Sequence, residues 1–153
     1  MKIKVRLFKN EDSEQLAELD KVWKKEGVSL GMSPRANKEF IKDCKKAICL
    51  VAYLNNKIIG YALGEKKVYR KKKLFYIKKG EKYVNFDSLY VLKKYRKSGI
   101  GKKLVQGLIN EAKNQNFDSI QLVADSKEQE KLIALYKICG FEFVFTRMKL
   151  NLN

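Results

Sequence analysis

The segment Tyr95-Arg96-Lys97-Ser98-Gly99-Ile100-Gly101-Lys102-Lys103-Leu104 is where residue types and spacing point to chemistry. It follows a strand pattern and opens an amphipathic helix pattern. Glycines at such a junction let the backbone turn tightly and come close to a ligand. The first turn of the helix adds N–H groups without intrahelical partners and the positive end of the helix dipole. Together these make a phosphate cradle built from backbone, with Arg96, Lys97 and Lys102 beside it. The spacing is neither GxxxxGK[ST] nor GxGxxG. The same residues also suit a glycine cap followed by solvated lysines, so the segment needs support from elsewhere in the chain.

Composition removes several other chemistries. The chain of 153 residues has no histidine, which excludes Ser-His-Asp and Cys-His catalysis and His-ligated metals. Its three cysteines (Cys44, Cys49 and Cys139) show no CxxC spacing. An odd number without pairing signals predicts a reducing, cytoplasmic setting and no zinc site. No stretch of about 18 apolar residues predicts a membrane span. The first ten residues alternate charge with Ile3, Val5 and Leu7, unlike the apolar core of a signal peptide. Lys and Arg number 34 against 17 acids, a formal charge of +17. Such a field favours polyanions: nucleic acid, acidic membranes or phosphorylated cofactors. The charge is uneven. Residues 11–43 hold eight acids and six bases, whereas residues 66–82 hold nine Lys/Arg and one acid, and residues 93–103 six Lys/Arg and no acid.

The elements that must position the Arg96–Lys102 segment follow from periodicity. A single domain over residues 1–153 fits the length. Ile3, Val5 and Leu7 predict a first strand. Leu16, Leu19, Val22 and Trp23 fall at helical spacing up to Glu26, with Gly27 as a stop. Ser33-Pro34 predicts a second helix start, with Phe40, Ile41 and Cys44 on its inner face. Ala47–Leu54 and Ile58–Leu63 predict a hairpin about Asn55-Asn56, since Asn tolerates positive φ. Residues 65–82 read as an exposed, basic, extended hairpin. Val84–Leu92 predicts a strand with Val84, Phe86, Ser88 and Tyr90 on one face and Asn85, Asp87, Leu89 and Val91 on the other. Ile100, Leu104, Val105, Leu108, Ile109 and Ala112 predict an amphipathic helix. Ile120–Ala124 predicts a strand, Leu132–Cys139 a helix stopped by Gly140, and Phe141–Phe145 the start of a final strand. Helices alternate with strands in the second half, which predicts a parallel crossover pair there.

At this point the sequence resembles the GNAT superfamily of acyl-CoA-dependent N-acyltransferases. The resemblance rests on two blocks. Val91 at a strand end precedes Arg96-Lys97-Ser98-Gly99-Ile100-Gly101, as in the family's Arg/Gln-x-x-Gly-x-Gly/Ala motif. Leu135, Tyr136, Gly140 and Phe141 match its later Leu-Tyr-x-x-x-Gly-Phe. The match is close over residues 84–145 and extends to the rest by element order. It implies an α/β fold: a mixed, mostly antiparallel central sheet of six to seven strands flanked by about four helices. It implies acetyl-CoA as cofactor and transfer of its acetyl group directly to a primary amine. Cofactor contacts would come from Leu89, Tyr90, Val91, Arg96, Lys97, Ser98, Gly99, Ile100, Gly101, Lys102, Gln129 and Tyr136, with the Val91 N–H as an oxyanion donor. Tyr136 would protonate the leaving thiolate, although a core tyrosine on a helix would also fit its spacing.

A general base is required because an amine with a pKa near 10 is mostly ammonium at pH 7. Asp87 is the first candidate, acting through water, with a lysine-paired surface carboxylate as the alternative; Tyr90 is a weaker choice. Cys139 neighbours Tyr136, but nothing in the sequence lowers its thiol pKa, so a covalent acetyl-cysteine route is not expected. Two departures from the family pattern stand out. Gln129 stands seven residues before Tyr136, where many members have Asn. Only thirteen residues follow Gly140, so the usual last hairpin must be short, leaving a more open site or one completed by a second subunit in a homodimer. The acidic stretch 11–43 suggests a cationic acceptor, such as a polyamine, aminoglycoside or peptide amine. Two other classes remain: a nucleic-acid- or ribosome-binding module using Tyr69, Phe75, Tyr76 and the lysines around them, and a CoA-binding GNAT fold without turnover.

Overall fold

The computed structural model describes residues 3–27, 37–70, 78–124, 127–145 and 150. Four helices and five strands form within these residues. In chain order they are β1 (Lys4–Leu7), α1 (Ser13–Glu26), α2 (Asn37–Lys46), β2 (Ile48–Leu54), β3 (Lys57–Val68), β4 (Lys82–Val91), α3 (Ile100–Asn114), β5 (Ser119–Gln121) and α4 (Gln129–Ile138). Gly27 closes α1 in the left-handed region at φ 58°. Asn55 and Asn56 both take positive φ, 48° and 61°, and make the tight β2–β3 turn. The predicted helix start at Ser33-Pro34 and the tip of the basic hairpin, 71–77, lie outside the described residues. Below that tip the hairpin extends past β3, with the Tyr69 N–H donating to Glu81 O at 2.9 Å and the Gly80 N–H to Tyr69 O at 2.8 Å.

The strands form one sheet in the order β1-β2-β3-β4-β5. The first three pairings are antiparallel and β4–β5 is parallel, as a crossover through α3 requires. Each face of the sheet carries its own core. Leu50, Ile59, Val84, Phe86 and Val91 pack with Ile100, Leu104 and Leu108 of α3. On the other face Val51, Tyr61, Leu63 and Tyr90 pack with Leu16 and Leu19 of α1 and Phe40 and Cys44 of α2. The strictly alternating residues of β2 thus feed two cores, so the strand reads as a continuous apolar run.

Two expectations need correction. The predicted six to seven strands are five among the described residues. Residues 141–145 are irregular, and Phe143, Val144 and Phe145 are 62%, 62% and 59% exposed. The predicted strand at Ile120–Ala124 shortens to Ser119–Gln121, pairing only with Tyr83, Val84 and Asn85. A three-residue edge offers a further strand few N–H and C=O groups to pair with. The second correction concerns β4. Leu63 pairs with Ser88 but Gly64 with Phe86, so Asp87 is the extra residue of a bulge. A bulge resets the alternation. Val84 and Phe86 face α3, while beyond the bulge Leu89 and Val91 take that face and Tyr90 turns to α1 and α2. Strict period two instead places Tyr90 with Val84 and Phe86.

Gly60 fixes how closely β3 approaches the end of β4. A Cβ there would lie 2.8 Å from the Tyr90 carbonyl oxygen and 3.2 Å from Val91 Cγ2. Backbone cannot yield to it as a side-chain tip would. Gly60→Ala is therefore expected to cost about 1–3 kcal/mol through overpacking. The urea midpoint should fall with its slope unchanged, and an unaltered midpoint would contradict this packing.

Candidate active site

The end of β4 carries backbone groups that the sheet does not use. Leu92 N–H donates to Ile59 O at 2.9 Å. With Gly60 opposite Val91, this bond makes Gly60–Val91 a non-hydrogen-bonded pair of the antiparallel ladder. The N–H and C=O of Val91, and two residues earlier those of Leu89, therefore point away from β3. On that side β5 has already ended, since it pairs no further along β4 than Asn85. A gap opens between the two parallel strands, lined by the Leu89 peptide groups and the Val91 N–H, the Val91 carbonyl being taken by Arg96 Nε. Tyr90 differs from Leu89 and Val91: its backbone pairs with Tyr61.

The chain leaves this gap through a short 3-10 turn at Lys93–Tyr95 and enters α3. Tyr95 N–H donates to Leu92 O at 2.8 Å, and Ser98 Oγ donates to Tyr95 O at 2.6 Å. Ser98 thus pins the loop with its side chain. Lys97 and Gly99 both take positive φ, 63° and 79°; a lysine in that region is uncommon and marks a conformation held by its surroundings. The first helical bond into Gly99 is from Lys103 N–H at 3.1 Å. The preceding N–H groups of Ile100, Gly101 and Lys102 have no carbonyl within the helix to bond. Ile100 is 1% exposed and anchors the helix start in the core, so only its backbone serves the cradle. Lys97, Ser98, Gly99 and Lys102 are exposed around it.

Arg96 turns away from the cradle. Its Nε donates to Val91 O at 2.8 Å and its Nη2 pairs with Glu26 Oε2. The same Glu26 accepts from the Tyr90 hydroxyl at 2.7 Å through Oε1. The guanidinium also stacks over the Tyr90 ring at 5.5 Å, and Tyr90 stacks on Trp23 with centroids 5.5 Å apart. Burial first, then the Glu26 carboxylate, push the Tyr90 hydroxyl well above the ordinary tyrosine range. Tyr90 holds its proton too firmly to act as a base. Positive charge near the cradle comes from Lys97 and Lys102, with Arg96 engaged elsewhere. Glu26 carries no local signal in the sequence, since its partners lie 64 and 70 positions away.

Tyr136 stands on α4, which packs against the start of α3: a Cβ on Gly101 would meet Leu135 Cδ2 at 3.4 Å. The Tyr136 ring lies 5.8 Å from Phe86 and 5.7 Å from Phe141, edge-on and tilted. Burial pushes its hydroxyl up to about 12. It therefore stays protonated throughout neutral and mildly alkaline pH. A rate profile governed by this group should show no alkaline loss near pH 10, where a free tyrosine ionises. Loss with an apparent pKa near 10 would contradict its burial.

The remaining expected site residues fare unequally. Asp87 is exposed at the bulge and accepts from Ser88 Oγ at 2.7 Å. Gln129 is exposed at the first position of α4. Burial raises the Cys139 thiol, which keeps it in the unreactive protonated form. Within the acidic stretch 11–43, several charges serve the protein itself. Asp12 takes both nitrogens of the Arg6 fork at 2.6 and 2.8 Å. Asp20 is 3% exposed and bonds Tyr61 OH and Lys24. Glu18 pairs with Lys21. A hollow of about 570 Å³ lined by Leu7, Ile48, Cys49 and Lys66 lies at the opposite end of the strands from Val91.

Comparison with known proteins assigns the class. The profile of the acetyltransferase (GNAT) family matches residues 12–141. The chain belongs to this family: it is an acetyl-CoA-dependent N-acetyltransferase. Its fold is similar to a predicted acetyltransferase of Clostridium acetobutylicum determined with acetyl-CoA (24% identity, TM-score 0.72, 99% of this chain and 97% of that one). It is also similar to an aminoglycoside acetyltransferase from an uncultured soil metagenomic sample (18%, 0.72, 99% and 97%). A third similar structure is the ribosomal-protein-alanine N-acetyltransferase of Brucella melitensis (17%, 0.70, 99% and 100%). No curated protein matches the sequence. No helix among the described residues is long and apolar enough to cross a membrane.

Proposed function

We propose that this acetyltransferase moves the acetyl group of acetyl-CoA directly to a primary amine, with the cofactor lying in the gap beside the end of β4. The observation that carries this reading is the continuity of unused backbone donors from Val91 N–H to the N–H groups of Ile100, Gly101 and Lys102. In this reading the pyrophosphate rests on the loop from Lys97 to Lys102 and the pantetheine arm follows Leu89 and Val91. Val91 N–H bonds the thioester carbonyl and stabilises the oxyanion of the tetrahedral intermediate. Tyr136 donates to the sulfur as the C–S bond breaks. Asp87 takes the ammonium proton through water, so that the neutral amine can attack.

The acceptor enters from the α1 and α2 side. Similar folds serve an aminoglycoside acetyltransferase and an acetyltransferase of a ribosomal protein's alanine, so both small cationic amines and peptide amino termini belong in the test. The internal ion pairs of Asp12, Asp20 and Glu18 leave less free negative charge than the sequence suggests, which favours recognition by shape and hydrogen bonds over a broad acidic lip. The test is release of free CoA thiol from acetyl-CoA with spermidine, an aminoglycoside or an alanine-initiated peptide. Amine-dependent release that falls in Asp87→Asn is expected. Binding of acetyl-CoA with no turnover on any of the three would favour a CoA-binding fold without transfer.

A further inference from the structure

We infer that Glu26 is a positioning residue for the Val91 amide, a role that rests on the reading of Val91 N–H as the thioester donor. The Tyr90–Val91 peptide is the group that must be aimed. Residues on both sides of it lead back to one carboxylate. On the Tyr90 side, the hydroxyl donates to Glu26 Oε1 at 2.7 Å, and the ring is held against Trp23. On the Val91 side, the carbonyl accepts from Arg96 Nε at 2.8 Å, and the other arm of that guanidinium is paired with Glu26 Oε2. The N–H of that same Val91–Leu92 peptide is fixed as well, by Leu92 N–H on Ile59 O at 2.9 Å.

Position in the chain makes the role specific. Glu26 is the last residue of α1, and the left-handed Gly27 ends the helix immediately after it. Its side chain is 20% exposed and that of Arg96 29% exposed. A charge-assisted pair shielded to this degree holds its partners more firmly than a surface pair would. Pre-aimed donors are effective because they need not reorganise as charge develops on the oxyanion. Glu26 lies on the acceptor-side helix yet governs the strand that receives the thioester, so it joins the two halves of the site.

The probe is acetyl-CoA labelled with carbon-13 at the acetyl carbonyl, followed by infrared difference spectroscopy on the full chain, with CoA affinity measured by calorimetry. Bound to the wild-type protein, the carbonyl band should move to lower frequency through the Val91 hydrogen bond. In Glu26→Ala at least half of that displacement should be lost. The CoA dissociation constant should change by less than about threefold, because the pyrophosphate grip is made elsewhere. Glu26→Gln keeps an oxygen for Tyr90 OH and should retain part of the displacement. Arg96→Met, which removes the donor to Val91 O, should repeat the Glu26→Ala result and serves if that variant does not fold. An undiminished band displacement in folded Glu26→Ala or Arg96→Met would overturn the inference while leaving the cofactor reading intact. A wild-type band that does not move on binding would overturn it together with the role of Val91. Absence of acetyl-CoA binding by the wild type would overturn the cofactor reading itself.

Discussion

Gly99→Glu is expected to reduce acetyl-CoA affinity by about a hundredfold or more. Two effects act together. Gly99 sits at φ 79°, where an L side chain costs about 1–2 kcal/mol. The new carboxylate would also stand at the cradle against the pyrophosphate, where like charges about 4 Å apart repel by roughly 1–4 kcal/mol, depending on exposure. Space is not the issue, since a Cβ at Gly99 meets nothing within 4 Å. The fold should persist, with a thermal midpoint near that of the wild type in the absence of ligand. Gly99→Ala carries the strain alone and should lose about tenfold. Titration calorimetry separates the two. Equal losses for Ala and Glu would mean that no anion lies at this position.

Tyr136→Phe is the second large effect. Phenylalanine keeps the ring contacts with Phe86 and Phe141 and removes only the hydroxyl. A hydrogen bond to a departing thiolate, a charged acceptor, is worth about 1.5–3 kcal/mol, so kcat should fall by about 10-fold to 150-fold. Acetyl-CoA affinity should stay unchanged. With a pKa of about 12, the phenol would act in the proposed reaction mainly as a hydrogen-bond donor to the departing thiolate, since full transfer to a thiol of pKa about 8.5 would be uphill. A wild-type kcat in Tyr136→Phe would reduce Tyr136 to a packing residue between α4 and β4.

These residues differ in how far the sequence announced them. Gly99 and Gly101 were legible because a strand, a glycine-bearing turn and an apolar helical stripe follow one another without interruption, and local backbone geometry is set by local sequence. Tyr136 stood out only through the resemblance of Leu135, Tyr136, Gly140 and Phe141 to the family motif, since its helical spacing alone suits a core tyrosine; its neighbour Phe86 was not legible, because that contact joins α4 to a strand far away in the chain. The faces of β4 were misread because a bulge leaves no period of its own: one extra residue at Asp87 reverses every later side chain. Glu26 and the turned-back Arg96 were hidden for a different reason. Their pairing joins distant parts of the chain, and a lysine-rich sequence offers each carboxylate many nominal partners. The expected final strand failed at Phe141–Phe145 because apolar alternation specifies a strand only where a neighbouring edge is long enough to receive it.

The most direct measurement is ligand-dependent thermal unfolding at physiological salt with acetyl-CoA, ADP and tripolyphosphate, on the wild type and Gly99→Glu. A protein with a formal charge of +17 binds any polyphosphate to some degree, so the contrast among ligands carries the meaning. Acetyl-CoA at a hundred times its dissociation constant should stabilise the wild type by about 2.7 kcal/mol, well beyond ADP or tripolyphosphate, and the gain should vanish in Gly99→Glu. Equal stabilisation by all three polyanions, surviving in Gly99→Glu, would contradict a cofactor site at the junction of β4 and α3 and leave only a basic surface.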